Sequence, residues 1–152
     1  MLVRIGHIDV LPQLFGGVLI PPAVASELSH GNTPREVKTW LAAAPPWLEV
    51  RAPAQIHPTL DIDDPCEVEA ISLAMETKAD LLLADDKKAR KAAKERGIAT
   101  TGAVGVLELA AARNLLDLSS ALARLRGTNF SVSEHILDAA LTRDARRKGT
   151  PP

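Results

Sequence analysis

The chain alternates between short, continuous apolar runs and longer segments in which apolar residues recur every three or four positions. The short runs predict strands at Val18–Ile20, Trp47–Val50, Asp80–Ala84 and Ile98–Thr100. The helical spacing predicts one helix that ends at Phe15 and others at Pro22–Ser29, Arg35–Ala44, Glu67–Lys78, Asp86–Arg96, Thr101–Arg113, Leu118–Arg126 and Val132–Arg146. Strands that alternate with helices indicate the α/β class, and we predict a three-layer α/β/α sandwich with a central parallel sheet.

Length and composition restrict the class of protein. The 152 residues are 46% hydrophobic and 24% charged, which is typical of a globular chain. We expect one domain over residues 1–149 and a frayed tail at residues 150–152. The net charge of −1 gives no overall field that would attract nucleic acid, so any basic surface must be local.

The same totals bear on localisation. No apolar run approaches the roughly 18 residues that a membrane span needs. The single cysteine, Cys66, cannot form an internal disulfide, and we interpret it as a small structural thiol. We therefore expect a cytoplasmic protein without membrane contact.

The segment Asp64–Arg90 combines a helix, a strand too apolar to be exposed, two carboxylates and a basic helix. On a helical wheel, Glu67 falls on the apolar face, where a carboxylate needs a partner or a metal. The opposite face carries Glu69, Ser72 and Glu76. We interpret the carboxylates of Glu69 and Glu76 as solvated charges. A first-turn Glu67 that only complements the helix dipole remains an alternative.

Acidic residues lie at the ends of three predicted elements: Glu27, Glu67 and the pair Asp85 and Asp86. If they converge, each pair of charges about 4 Å apart repels by roughly 4 kcal/mol at an effective dielectric near 20. A bound cation would relieve that repulsion. A ligand set of carboxylate oxygens, with no histidine or cysteine ligand, favours Mg²⁺ or Mn²⁺. The arrangement is typical of metal-dependent nucleases.

Basic residues follow these acids on the next helix and could contact phosphates without reading sequence. They are Lys87, Lys88, Arg90, Lys91 and Lys94. Each feature also has a simpler interpretation. Asp86 suits a helix N-cap, Glu27 suits a solvated charge, and a run of basic residues suits a solvated helix face.

Three segments in this order along the chain resemble the PIN-domain family of metal-dependent ribonucleases, in particular its DUF3368-type, toxin-like branch. They are VLIPPAVASEL, DDPCEVEAISLAMETKADLLLADDKKAR and GIATTGAVGVLELA. The resemblance implies an α/β/α sandwich, an acidic Mg²⁺ or Mn²⁺ site that hydrolyses RNA, a cognate antitoxin and a homodimer. Matched by motif, Glu27, Glu67 and Asp86 are the implied catalytic acids, with Asp85 as a further metal ligand beside Glu67 and Asp86.

The resemblance is incomplete at the start of the sequence. Family members begin with a strand that ends in an aspartate, and Met1 lies inside the segment that follows this strand. The sequence from Met1 therefore lacks the first strand and its aspartate: either the true start lies upstream and supplies them, or the active site is incomplete. Without that strand, we expect association with another chain to cover the exposed sheet edges. One alternative is a catalytically inactive PIN-fold protein that binds an antitoxin, its own copy or RNA. A weaker alternative is a phosphohydrolase that uses Asp85 and Asp86.

Overall fold

Parallel strand pairs and short helices form the chain within the residues that the computed structural model describes, namely 2–56, 63–128, 130 and 132–149. The helices are α1 (Val10–Phe15), α2 (Pro22–Leu28), α3 (Arg35–Ala42), α4 (Pro65–Thr77), α5 (Lys87–Glu95), α6 (Ala103–Ala112), α7 (Leu118–Arg126) and α8 (Glu134–Arg147). The strands are β1 (Val18–Ile20), β2 (Leu48–Val50), β3 (Leu82–Leu83) and β4 (Thr100–Thr101). Contacts divide the chain into a strand unit, Phe15–Gly102, and a helical unit, Met1–Leu14 with Ala103–Pro152.

The strand unit contains two parallel pairs. Strand β1 pairs with β2, with Val18 opposite Leu48, and β3 pairs with β4, with Leu82 opposite Thr100. Parallel strands joined by helices confirm the α/β class. In the described residues the strands form two separate two-stranded sheets, so a single central sheet in a three-layer sandwich is not confirmed.

Small side chains allow α5 to pack closely against α4 in the core of the strand unit. Ala89 and Ala93 of α5 are buried together with Ile71 of α4, which is 0% exposed. Ala74 and Ile98 complete this buried cluster. Because alanine adds only a methyl group, the two helix axes approach closely, and their N-terminal ends can present side chains to one another.

The helical unit is built on α6, which packs against both α7 and α8. Its fully buried side chains are mostly leucine, valine and alanine, and include Val106, Leu107, Leu118, Leu122, Leu125 and Leu137. At its surface Arg143 donates two hydrogen bonds to Glu108, at 2.8 and 2.9 Å. These side chains join α8 to α6, although exposed pairs of this kind contribute little to stability.

The wheel and the apolar runs gave three wrong predictions of burial. Ser72 was placed on the solvated face, but it is 3% exposed, because α2, α5 and β3 all contact α4 and cover more than one face of it. Leu83 is 39% exposed, since successive residues of a strand point to opposite sides. The helical spacing of Thr101–Arg113 predicts that Leu109 is buried with Val104 and Leu107, but Leu109 is 44% exposed because α7 and α8 leave part of α6 uncovered.

The predicted domain limits stay a prediction, and the predicted frayed tail at residues 150–152 lies outside the described residues.

We expect Ile71→Ala to lower the free energy of unfolding by about 2–5 kcal/mol, because it removes buried methyl groups and leaves a cavity between α4 and α5. Chemical denaturation monitored by circular dichroism measures the change. Ile136→Ala is the matched control, since Ile136 is 45% exposed on α8 and should cost much less. Equal losses in the two variants would contradict the assigned core.

Candidate metal centre

Helix α4 begins with a capped N-terminus that carries two carboxylates. The Oδ1 atom of Asp64 accepts a hydrogen bond from the backbone N–H of Cys66 at 2.9 Å, and Pro65 occupies the first helical position. This sequence of a capping aspartate and a proline is a common helix start. Glu67 then falls in the first turn, where the helix dipole favours negative charge.

Helix α2 brings a third carboxylate to the same place. The Sγ atom of Cys66 lies 2.6 Å from Oε2 of Glu27 and 3.3 Å from the carbonyl oxygen of Ala23. Possible ligand atoms of Glu27, Asp64 and Cys66 all lie within 4.8 Å of one another. Burial and the hydrogen bond to Glu27 raise the pKa of the Cys66 thiol to about 12, so the thiol stays protonated at neutral pH.

The carboxyl group of Glu67 lies among these acids and Asp86. Burial raises the pKa of Glu67 above its ordinary value of 4.5, and the negative charges of Asp86 and Asp64 raise it further. A hydrogen bond with the Asp86 side chain and the charge of Glu27 act in the same direction. The structure therefore brings Glu27, Glu67 and Asp86 together, and it adds Asp64, which the sequence interpretation had not selected.

Asp86 has two roles in this geometry. Its Oδ2 atom accepts the backbone N–H of Ala89 at 3.0 Å, so it is the N-cap of α5, as the simpler interpretation of the sequence proposed. It also lies beside Glu67, so capping and membership of the acidic cluster are compatible. The neighbouring Asp85 lies against Gly102, directly after β4, where its carboxylate occupies the space that a Cβ atom would need.

The predicted basic residues lie at the surface of α5, which begins directly after Asp86. All five side chains are exposed: Lys87, Lys88, Arg90, Lys91 and Lys94. Lys87, Lys91 and Lys94 share one side of the helix by their spacing, and the buried Ala89 and Ala93 lie on the other. The positive surface is therefore local and starts at the edge of the acidic cluster.

The prediction that Glu69 is a solvated charge was wrong. Glu69 is half-buried, and its Oε1 atom accepts the backbone N–H of Ala23 at 3.3 Å. Glu76 is exposed, as predicted, and it also accepts the backbone N–H of Ala54 at 2.7 Å. A helical wheel shows only which side of α4 a residue occupies, and it cannot show that neighbouring segments bring N–H donors to that side. The contact of Cys66 with Glu27 was missed for the same reason.

The family model DUF3368, which describes a PIN domain, matches residues 1–145 of the chain. The chain belongs to this family. The resemblance of the three segments is thereby confirmed, and membership suggests nuclease-like function and RNA binding. The comparison with curated proteins and the comparison with solved structures found no match. No helix in the described parts of this PIN domain is long and apolar enough to cross a membrane.

The donor atoms of the cluster fit the divalent metals that PIN domains typically use. Burial raises the pKa of Glu67, and the negative charges of carboxylates from three elements raise it further. Such a cluster gains stability from a cation, and hard oxygen donors suit Mg²⁺ or Mn²⁺. The protonated thiol of Cys66 is a weak competitor for these ions, since only the thiolate is a strong metal ligand.

We expect Glu67→Gln to raise the free energy of unfolding of the metal-free protein at pH 7. The folded state holds the Glu67 proton more tightly than the unfolded chain, so this residue destabilises the fold as the pH rises through its raised pKa. Well below 4.5 the carboxyl is protonated in both states, and the advantage of the variant should vanish. Urea unfolding in the presence of a chelator, measured across this pH range, gives the difference.

Glu95→Gln is the control for this experiment, because Glu95 is an exposed carboxylate at the other end of α5. A pH dependence equal to that of Glu67→Gln would show that the effect does not arise in the cluster.

Proposed function

We propose that this PIN domain is a metal-dependent endoribonuclease and the toxin of a toxin–antitoxin pair. The observation that carries the proposal is the convergence of Glu27, Asp86 and Asp64 on the half-buried Glu67, at the start of a basic helix. The acids supply a cation site, and the helix supplies positive charge for a polyanionic substrate.

In this proposal Glu67 and Asp86 hold Mg²⁺ or Mn²⁺, Asp85 is an additional ligand, and Glu27 completes the catalytic acids. A bound divalent cation lowers the pKa of water and offsets charge on phosphodiester oxygens. A bound cation would lower the pKa of Glu67, because its positive charge opposes the effect of the neighbouring carboxylates. Asp86 keeps its position through the hydrogen bond to Ala89.

The α5 side chains Lys87, Lys91 and Lys94 bind RNA phosphates in this proposal, and Lys88 and Arg90 extend the positive surface on either side. Phosphate contacts position a substrate but do not select its sequence. A basic helix next to the acids would direct the phosphodiester backbone toward the cluster. Two tryptophans, two phenylalanines and no tyrosine are few aromatic side chains for stacking bases, which favours recognition through the backbone.

The partners belong to the same proposal. In the described residues each sheet has only two strands, and Leu19 of β1 and Val50 of β2 are 36% and 52% exposed. Open strand edges and exposed apolar side chains favour association with another chain. We propose that a cognate antitoxin or a second copy pairs there, in the cytoplasm, and that pairing completes a central sheet of three-layer type.

We expect Mn²⁺ to raise the melting temperature of the wild-type protein and to support RNA cleavage. Glu67→Gln should abolish the thermal shift and lower cleavage by at least about 100-fold, because a ligand is lost. Asp86→Asn should do the same while preserving the fold, since asparagine caps helices as well as aspartate does. Cleavage that survives in both variants would overturn the assigned site. A protein that binds RNA and a partner but never cleaves would be the inactive PIN-fold alternative.

We expect the triple variant K87Q/K91Q/K94Q to bind single-stranded RNA more weakly, with less dependence on salt. Each lost phosphate contact lowers the slope of log affinity against log salt by about 0.7, so three contacts lower it by about 2. Fluorescence anisotropy at several salt concentrations measures the slope. Lys78→Gln, an exposed change at the end of α4, serves as the control and should leave the slope unchanged.

A further inference from the structure

The first turn of α2 has a backbone donor that its own helix cannot satisfy. Pro21 is the N-cap and makes no side-chain capping bond, and Pro22 has no N–H to donate. The N–H groups of Val24 and Ala25 both bond to the carbonyl of Pro21, which leaves the Ala23 N–H without an acceptor in the helix.

Glu69 of α4 supplies that acceptor through Oε1, at 3.3 Å and partly buried. One turn earlier on α4, the Cys66 thiol donates to Glu27 at 2.6 Å. Cys66 and Glu69 are three residues apart and Ala23 and Glu27 are four apart, so each pair lies on one side of its helix. The Cys66 thiol also lies 3.3 Å from the carbonyl oxygen of Ala23. Glu69 and Cys66 therefore join α4 to Ala23 and Glu27 of α2, and we name these polar contacts the α2–α4 clasp.

The clasp determines where Glu27 lies. Helix α2 has seven residues, and in the described residues none of them is fully buried, so apolar packing alone holds it weakly. The contact between Glu69 and Ala23 anchors the N-terminal end of α2, one helical turn before Glu27. If that end moves, Glu27 leaves the thiol of Cys66 and the carboxylate of Asp64.

We propose that Glu69 is a positioning residue, which fixes α2 against α4 through the Ala23 N–H and thereby keeps Glu27 within the acidic cluster. The effect of Glu69 on metal binding rests on the function proposed above. The carboxylate of Glu69 does not need to touch the cation; its acceptor oxygen acts on the backbone of α2.

Two substitutions separate the hydrogen bond from the charge. Glu69→Ala removes the acceptor, and we expect the Mn²⁺ concentration at half-maximal thermal shift to rise by about tenfold, as for residues that orient metal ligands. Glu69→Gln keeps an acceptor oxygen, and it should stay close to wild type. Glu76→Ala is the matched control, since it removes an equivalent bond from α4 to the Ala54 N–H and should leave the Mn²⁺ midpoint unchanged.

A second readout needs no metal and no activity. Cys66 is the only cysteine, so the rate of reaction with iodoacetamide reports on its surroundings alone. Glu69→Ala should react faster than wild type and approach the rate of Glu27→Gln, because α2 no longer holds Glu27 against the thiol. Glu69→Gln should react at nearly the wild-type rate.

The outcomes distinguish this proposal from the proposed function. Equal Mn²⁺ midpoints in all Glu69 variants, or a Gln variant that behaves like the Ala variant, would overturn the positioning role. If Mn²⁺ has no effect on the wild type but alkylation follows the expected order, the positioning role stands and the metal-dependent function is wrong. Alkylation rates that do not change with Glu69 overturn the positioning role whatever the metal does.

Discussion

The strand unit must hold several carboxylates near Glu67 although they repel one another. Burial and the charges of Asp86, Asp64 and Glu27 all raise the pKa of this residue, so the fold holds together groups that would otherwise separate. The apolar contact below them makes this possible. Ile71 of α4 packs against Ala89 and Ala93 of α5, and their burial keeps the two helix N-termini, and thus their acids, side by side.

Backbone groups moderate the same repulsion. Asp64 and Asp86 are N-caps, and each accepts an N–H from the first turn of its helix. The positive ends of two helix dipoles therefore face the cluster and stabilise its negative charge. Residues that begin α4 and α5 are also the residues available to a cation. Folding and the proposed chemistry would use the same side chains, so the confirmed role of Asp86 as an N-cap is compatible with its proposed role as a metal ligand.

Local pattern predicted much of the strand unit, because caps and apolar spacing act within a few residues. Strand β1 begins and ends as expected, Asp86 precedes α5, and Glu67 lies on the partly buried side of α4. Contacts made across the chain were not predictable in this way. Glu69 was interpreted as solvated because nothing near it in sequence reveals its hydrogen-bond donor, the N–H of Ala23, which lies 46 residues away. The interpretation of Cys66 as a structural thiol did not include its contact with Glu27, because Glu27 is on another helix.

The pKa of Glu67, followed through its side-chain carboxyl ¹³C resonance, is the most direct measure of the cluster. In metal-free protein the resonance should titrate above the ordinary 4.5, and in Asp86→Asn the midpoint should fall toward that value. Saturating Mg²⁺ should lower the midpoint of the wild type, because the cation replaces the proton. A midpoint at the ordinary value that neither Mg²⁺ nor Asp86→Asn changes would contradict both the acidic cluster and its role as a metal centre.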